Sequence, residues 1–161
     1  MEDEFHAFVV ARTPALARTA YLLTGDAHLA EDLVQTALFK AAKAWHRIEG
    51  DPEPYVRRIL YTQNVSWWRR RRLKEQALGG YDAPAATADP DLRLSLEQAL
   101  ARLTERQRTV LVLRYFEDLT EVQTAHALGI SAGTVKSTTR QALARLRTLS
   151  PDLAELIGEA S

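Results

Sequence analysis

The 161-residue chain contains no cysteine, which excludes disulfide bridges, thiolate zinc sites and cysteine nucleophiles. It also lacks a long hydrophobic run, since no apolar stretch approaches the ~18 residues needed to cross a bilayer. The first residues, Met1 to Glu4, are acidic, whereas a secretory signal begins with a basic and then an apolar stretch. We therefore expect a cytoplasmic protein that has no membrane segment.

Motifs of catalysis are missing as well. The four histidines are scattered, and the sequence holds no H-E-x-x-H pair, P-loop, dinucleotide fingerprint or nucleophile-elbow serine motif. Neighbouring carboxylates such as Glu117 and Asp118 fall in a predicted turn without a partner. The sequence predicts no catalytic set, no metal site and no cofactor, so an enzyme is the least supported class of function.

Neither sign of charge is in excess, yet the charge is unevenly distributed. The chain has 21 basic and 21 acidic residues. Residues 1–53 hold five basic and nine acidic groups, whereas residues 54–76 hold seven basic groups and one acid. The net charge is −3 over residues 77–98 and +1 over residues 99–161. This segregation favours discrete polyanion-binding surfaces over a uniformly basic one.

The chain is rich in helical periodicity, and strand signals are missing, so the predicted fold class is all-α. The first helix is predicted over residues 5–23 with an interruption at Pro14. A second runs from an Asp26 cap to Trp45, and a third opens at Pro52 or Pro54 and continues to about residue 73. Two capping boxes, Thr104 with Gln107 and Thr120 with Gln123, predict later helix starts.

Small residues and two prolines over residues 79–90 indicate a flexible linker. The sequence thus predicts two small helical domains, 1–76 and 92–161, joined by a linker over 77–91.

The second domain has the spacing of a helix-turn-helix. Ala125 would let two helices cross closely, Gly129 would take the turn, and Val135 would pin the second helix. Ser131 is a predicted cap for a helix that ends near Leu149, and residues 131–147 hold four basic groups and no acid. Such a helix can enter a DNA major groove. The alternative is a helical hairpin with a solvated charged face.

The basic stretch, residues 54–76, interleaves cations with aromatic rings. At helical spacing, one side suits a core and carries Val56, Ile59, Leu60, Gln63 and Trp67. The other side suits single-stranded nucleic acid, because cations hold phosphates and rings stack on bases. That side carries Arg57, Tyr61, Asn64 and Trp68, and four adjacent arginines follow. The alternative is that the tryptophans are core and the arginines form a solubilising helix end.

The helix over residues 30–45 is acidic at its start. The helix dipole alone would explain Glu31 and Asp32. A partner surface on its exposed face is the alternative.

Together these segments resemble a family, the bacterial RNA polymerase sigma factors of the extracytoplasmic-function type, in the compact two-domain form seen in actinobacteria. Many members of the family have Asp where this chain has Trp68, and Arg where it has Thr138. The resemblance rests on Ala30–Ala37 with Trp45, on Pro54–Arg58 through Asn64 and Arg69–Arg71, and on Leu103–Arg108, Leu111–Tyr115 and Gly133–Ser137.

This resemblance implies a sigma factor that binds core polymerase, recognises −35 and −10 DNA, aids promoter melting and performs no catalysis. The implied partners are the clamp helices of the largest subunit, the flap of the second largest and promoter DNA. An anti-sigma factor is a further partner that the resemblance raises. A stand-alone helix-turn-helix regulator that binds duplex DNA is the alternative.

The resemblance also implies site residues for each partner. The implied polymerase contacts are Glu31, Asp32, Leu33 and Gln35. The implied −10 contacts are Arg57, Arg58, Tyr61, Asn64, Trp68, Arg69, Arg70, Arg71 and Arg72. The implied −35 contacts are Arg114, Ser131, Thr134, Lys136, Ser137, Thr138, Arg140 and Arg145.

Overall fold

The computed structural model describes residues 2–79, 95–153 and 155, and all regular structure in those ranges is helical. The all-α prediction is confirmed. The chain divides into two compact units, Met1–Val65 and Ser66–Ser161, and the break between them falls inside the third helix.

The described residues form seven α-helices and two short helical turns of other types. The first three are α1 (Glu2–Thr24), α2 (Ala27–Ala44), which is followed by a 3₁₀ turn (Trp45–Arg47), and α3 (Pro52–Ala77). The later ones are α4 (Leu96–Ala101), α5 (Glu105–Leu111), which continues as a π-helical turn (Val112–Phe116), α6 (Glu121–Leu128) and α7 (Ala132–Leu149).

The predicted linker lies outside the described residues from residue 80 onward. The domain boundaries at residues 76 and 92 stay predictions.

Helix α1 runs through Pro14 without a break, so the predicted interruption is wrong. A proline inside a helix removes one backbone donor and crowds the carbonyl four residues earlier. That carbonyl belongs to Val10, which lies on the exposed side of α1. The Thr13 hydroxyl donates to the Val9 carbonyl at 2.5 Å, so the neighbouring carbonyl has an extra donor.

The first unit is built on the packing of α1 against α2. Leu16 and Leu23 of α1 and Leu33 of α2 are fully buried, as expected from their helical spacing. Asp26 caps α2 as predicted, because its carboxylate accepts from the Leu29 N–H at 2.9 Å.

Polar contacts tie α3 to both neighbouring helices. The Lys40 ammonium of α2 donates to the Gln63 side-chain oxygen at 2.6 Å. On the other side, Glu53 accepts from Arg12 of α1 at 2.5 Å and from Arg57 at 3.0 Å. Hydrogen bonds from Arg12 hold the pKa of the Glu53 carboxyl below its usual value of 4.5; burial opposes this, and Arg57 lowers the pKa further.

Replacing Glu53→Gln is expected to lower the free energy of unfolding by about 1 kcal/mol at neutral pH, since two arginines lose their charged acceptor. The lowered folded pKa means that the carboxylate stabilises the fold above its unfolded pKa. This stabilisation is lost as the pH falls through the folded pKa. Urea unfolding should therefore separate the variant from the parent at neutral pH but not in acid.

Glu49→Gln is the control for this measurement, because Glu49 is an exposed carboxylate in the connection that precedes α3. A loss of stability for Glu53→Gln that is equally large in acid would contradict the assigned role of the charge.

The second unit is held around α7, which packs against α4, α5 and α6. The two predicted capping boxes are confirmed at Thr104 and Thr120. A third, Ser95 with Gln98, starts α4 and has the same sequence signature, so the same signal could have found it.

Candidate nucleic-acid interface

The predicted helix-turn-helix is confirmed in the geometry of α6 and α7. Gly129 ends α6 in the left-handed region with φ +67°, and the next N–H, of Ile130, donates to the Ala125 carbonyl at 3.0 Å. Ser131 then caps α7 by accepting from the Thr134 N–H at 3.1 Å. These contacts set the angle at which α7 leaves the turn.

Replacing Gly129→Ala is expected to destabilise the second unit by roughly 1 kcal/mol, through backbone strain alone. A Cβ at this position would meet nothing within 4 Å, so no steric clash adds to the effect. Gly129→Asn should recover part of the loss because asparagine tolerates the left-handed region. Urea unfolding measures both variants, and an Ala variant as stable as the parent would refute this account of the turn.

The buried side of α7 contains one residue that was predicted to bind DNA. Val135, Ala142 and Leu146 are fully buried, and Thr138 shares their side of the helix with only 5% of its surface exposed. The prediction of Thr138 as a −35 contact requires an accessible side chain, whereas this side chain is buried. Its position, three residues after Val135 and four before Ala142, places it on the packed face.

The opposite side of α7 is exposed and basic. Lys136, Ser137 and Arg140 all lie on it, as predicted. The Lys136 ammonium is 4.0 Å from the Glu121 carboxylate, a distance at which an exposed pair contributes little. Both cations are therefore accessible to a polyanion.

The remaining predicted −35 residues make local contacts. Ser131 is exposed and Thr134 is half-buried, and their hydroxyls are 2.8 Å apart. The exposed Arg145 donates to the Arg102 carbonyl at 3.2 Å. Half-buried Arg114 sits in the π-helical turn and donates to the Leu119 carbonyl at 2.6 Å. Sequence periodicity gave no sign of this turn, which continues α5 with π-helical hydrogen bonding.

Three residues that were predicted to contact unpaired bases are buried in α3. Tyr61, Asn64 and Trp68 are 5%, 2% and 6% exposed. The prediction that these side chains form an accessible face of α3 is therefore wrong. Contacts from α1 and from α2 bracket this helix, so more than one of its sides is covered, and Trp67 is only half-buried.

Arg57 is also engaged within the fold. Its guanidinium donates to Glu53 and, at 2.9 Å, to the Thr19 hydroxyl of α1. It was predicted as a −10 contact, but the ion pair with Glu53 within α3 and the hydrogen bond to Thr19 of α1 leave its side chain only 19% exposed.

The end of α3 presents the arginine cluster, defined here as Arg69, Arg70, Arg71 and Arg72. Arg71 is half-buried and the other three are exposed. Arg58, in the first half of α3, is exposed as well. The Arg69 guanidinium lies 5.7 Å from the centre of the Trp68 ring. The cluster is therefore the accessible basic part of α3.

Helix α2 carries the predicted partner surface. Glu31, Asp32 and Gln35 are exposed, whereas Leu33 is fully buried, so the prediction of Leu33 as a direct contact is wrong. Its side chain belongs to the core face, one residue from Asp32 but about 100° around the helix.

The exposed row of α2 also includes an aromatic residue that sequence reasoning missed. Phe39 is 61% exposed and follows Glu31 and Gln35 at intervals of four residues. The Lys43 ammonium lies 4.5 Å from its ring centre. The sequence could have revealed this exposed ring, because Phe39 is an apolar residue at a position where helical spacing predicts the polar side of α2.

None of the helices in the described residues has the length and hydropathy of a membrane span. Histidine and carboxylate side chains in the same ranges form no group of three or more that could hold a metal ion.

The chain matches two families of known proteins. The family described as Sigma-70 region 2 matches residues 8–74, and that described as Sigma-70, region 4 matches residues 99–148. The second match includes α5, α6 and nearly all of α7, and the first includes the arginine cluster.

Individual relatives cover most of the chain. The RNA polymerase sigma-E factor of Streptomyces coelicolor is 42% identical over 149 residues, which are 89% of this chain and 84% of that protein. The ECF RNA polymerase sigma factor SigL of Mycobacterium tuberculosis is 34% identical over 151 residues, 86% of this chain and 84% of that one.

A solved structure is similar as well. The sigma factor RpoE of Bartonella quintana, crystallised with the anti-sigma factor NepR, is 27% identical with a TM-score of 0.66. The match covers 91% of this chain and 96% of RpoE. With its two sigma regions in order and relatives matched over most of their length, the chain belongs to the extracytoplasmic-function sigma factors of the sigma-70 family.

Proposed function

We propose that this sigma factor binds RNA polymerase core through the exposed row of α2 and reads promoter DNA with two separate basic surfaces. The first surface is the exposed side of α7, for the −35 element. The second is the arginine cluster of α3, for the −10 element and the melted strand. The protein directs promoter-specific initiation by bringing these surfaces to the polymerase.

The α2 row supports a protein partner because its chemistry suits recognition without being needed for folding. Glu31, Asp32 and Gln35 place carboxylates and an amide side by side on one exposed stripe. Such groups steer and orient a complementary basic or polar surface. Phe39 adds an apolar anchor to the same stripe, the kind of residue that contributes strongly at interfaces.

The two basic surfaces support different forms of DNA. Lys136 and Arg140 lie one turn apart on the second helix of a helix-turn-helix, which suits duplex DNA in the major groove. The arginine cluster presents adjacent guanidinium groups at a helix end, where they can follow a phosphate backbone. Because Tyr61 and Asn64 are buried, base stacking by α3 requires them to become accessible when DNA binds.

Three finer points belong to the same proposal. The protein acts by binding and performs no covalent chemistry of its own. It works in the cytoplasm, where RNA polymerase and the chromosome are found. An anti-sigma protein restrains it, a partner supported by the NepR complex of the structural relative RpoE.

The observation that carries the proposal is the exposed polar row of α2 in a chain that also has a helix-turn-helix. A stand-alone regulator needs only the duplex-binding surface. The test is gel filtration of the purified chain with core polymerase, followed by transcription from fragments of bacterial DNA. We expect co-elution with core and initiation at discrete sites that core alone does not use.

The same assay distinguishes the alternative. A chain that binds duplex promoter DNA tightly by itself, but neither co-elutes with core nor redirects initiation, would be a stand-alone regulator.

A further inference from the structure

A cavity of about 360 Å³ lies in the first unit, where the N-terminal end of α1 meets the connection from α2 to α3. Its lining includes Glu4 and Phe8 of α1, Trp45 and His46 of the 3₁₀ turn, and Pro52 at the start of α3. A cavity of this volume suits a small ligand. It shares no lining residue with the exposed row of α2 or with either basic surface.

The aromatic part of the lining is held in place by ring contacts. The centre of the Trp45 ring lies 5.5 Å from that of Phe8. On α1, Phe5 also meets Trp45, edge to face, with ring centres 5.1 Å apart. All three rings are half-buried. Aromatic rings, and that of tryptophan above all, attract a cation, so the lining offers a preformed surface for one.

The two segments that line the cavity are acidic. Residues 2–8 and 45–53 together contain six carboxylates and one arginine. Asp51 accepts from the Glu53 N–H at 3.0 Å, and Glu53 accepts from two arginines, so these two carboxylates are engaged. Glu4 is exposed and, among the residues that the structure describes, has neither a hydrogen bond nor an ion pair. The lining therefore places an uncompensated negative charge beside aromatic rings.

The same acids argue against an anionic ligand such as phosphate. A helix N-terminus attracts anions, and both α1 and α3 begin beside the cavity. At α3, however, the Asp51 carboxylate already accepts from an N–H of the first turn. At α1, the first turn carries Glu2, Asp3 and Glu4. A phosphate would meet these carboxylates at close range, so the cavity favours a cation.

We propose that this cavity is a binding site for an organic cation with a guanidinium or alkylammonium group. The cation lies against Trp45 and pairs with the Glu4 carboxylate. Its source is either a free small molecule or a basic side chain of core polymerase, since both present the same group. The site belongs to the first unit alone and does not depend on how the chain contacts DNA.

The probe for this site is N-acetyl-argininamide, added to the full chain with isotope-labelled tryptophans. The chain has three tryptophans, and a Trp45→Phe variant identifies the indole N–H signal of Trp45 in the nuclear magnetic resonance spectrum. We expect the probe to shift this signal with saturation in the millimolar range, because a cation–π contact and an exposed ion pair are both weak. N-acetyl-citrullinamide is the matched control ligand, since it has nearly the same shape and no charge. Equal shifts by both ligands, or no shift by either, would overturn the proposal.

Charge removal tests the role of Glu4. Glu4→Gln should weaken binding of the probe by about threefold, and the exposed position should leave the fold intact. Glu2→Gln is the matched control, since it removes the same charge from the same turn at an exposed position outside the lining. The proposal is overturned if Glu4→Gln binds the probe as the parent does, or if the control weakens binding equally. A shift of the Trp45 signal by cytidine but not by the probe would also overturn it, because the cavity would then take a neutral base.

A competition measurement distinguishes the two sources of the cation. Core polymerase is titrated into the fluorescently labelled chain with and without saturating N-acetyl-argininamide. Weaker binding to core in the presence of the probe assigns the cavity to a basic side chain of the polymerase, whereas unchanged binding assigns it to a free cation. The titration of the chain with the probe needs no polymerase, so failure of this inference is distinct from failure of the proposed function.

Discussion

A chain in which Asp32 and Gln35 are both replaced by arginine is expected to lose binding to core polymerase by more than about 100-fold. Like charges brought together at an interface cost several kcal/mol, and a loss of this size needs only about 3 kcal/mol. Both side chains are exposed on α2, so the exchange should leave the helical fold intact. Fluorescence anisotropy of the labelled chain titrated with core polymerase measures the affinity, and circular dichroism checks the fold.

The control for this experiment is a chain with Asp3→Arg and His6→Arg. Asp3 and His6 are exposed on α1 and are three residues apart, as Asp32 and Gln35 are. With histidine counted as neutral, the exchange changes the net charge by the same amount. The control should bind core polymerase nearly as well as the parent. If the Asp32 and Gln35 exchange also binds normally, α2 does not face the polymerase.

The second large effect concerns duplex DNA. Replacing Lys136→Ala and Arg140→Ala together should weaken binding of the assembled polymerase to promoter duplex. Each lost phosphate contact should flatten the salt dependence of the affinity by a slope of about 0.9. The physical reason is that fewer counterions are released when fewer cations meet phosphates. Affinities measured across a series of salt concentrations give the slope directly.

Arg147→Ala is the matched control on the same helix, because Arg147 is an exposed cation in the last turn of α7. Only the N-terminal residues of a groove-entering helix approach the bases. A control that flattens the slope as much as the double variant would mean that α7 contacts DNA along its length.

Burial changes how the −10 surface has to be tested. Alanine at Tyr61 or Asn64 would combine lost packing with any lost DNA contact, since both side chains are buried. Arg70→Ala and Arg72→Ala remove exposed cations instead and leave the core untouched. A template with a pre-melted −10 bubble separates an opening defect from a defect in duplex binding.

Local signals in the sequence were sufficient for much of the architecture. The periodicity of α2, its Asp26 cap and the two Thr–Gln capping boxes depend on residues three or four apart, and such short-range patterns can be recognised directly. The turn at Gly129 is equally local, because only the backbone conformation of one residue is involved. The exposed polar row of α2 and the exposed cations of α7 followed from the same periodicity.

The sequence by itself therefore determined the all-α class, the caps, the helix-turn-helix and the membership of the family that its motifs resemble. Only the tertiary structure decided which side of α3 is covered, because α3 has apolar residues on more than one side and neighbours in α1 and α2. Tertiary packing likewise buried Thr138, gave Arg57 the Thr19 hydroxyl of α1 as a partner, and gave Arg71 its partner. Glu105 is 34 residues away from Arg71 along the chain. A pairing over such a separation depends on how helices pack, which no local pattern of residues encodes.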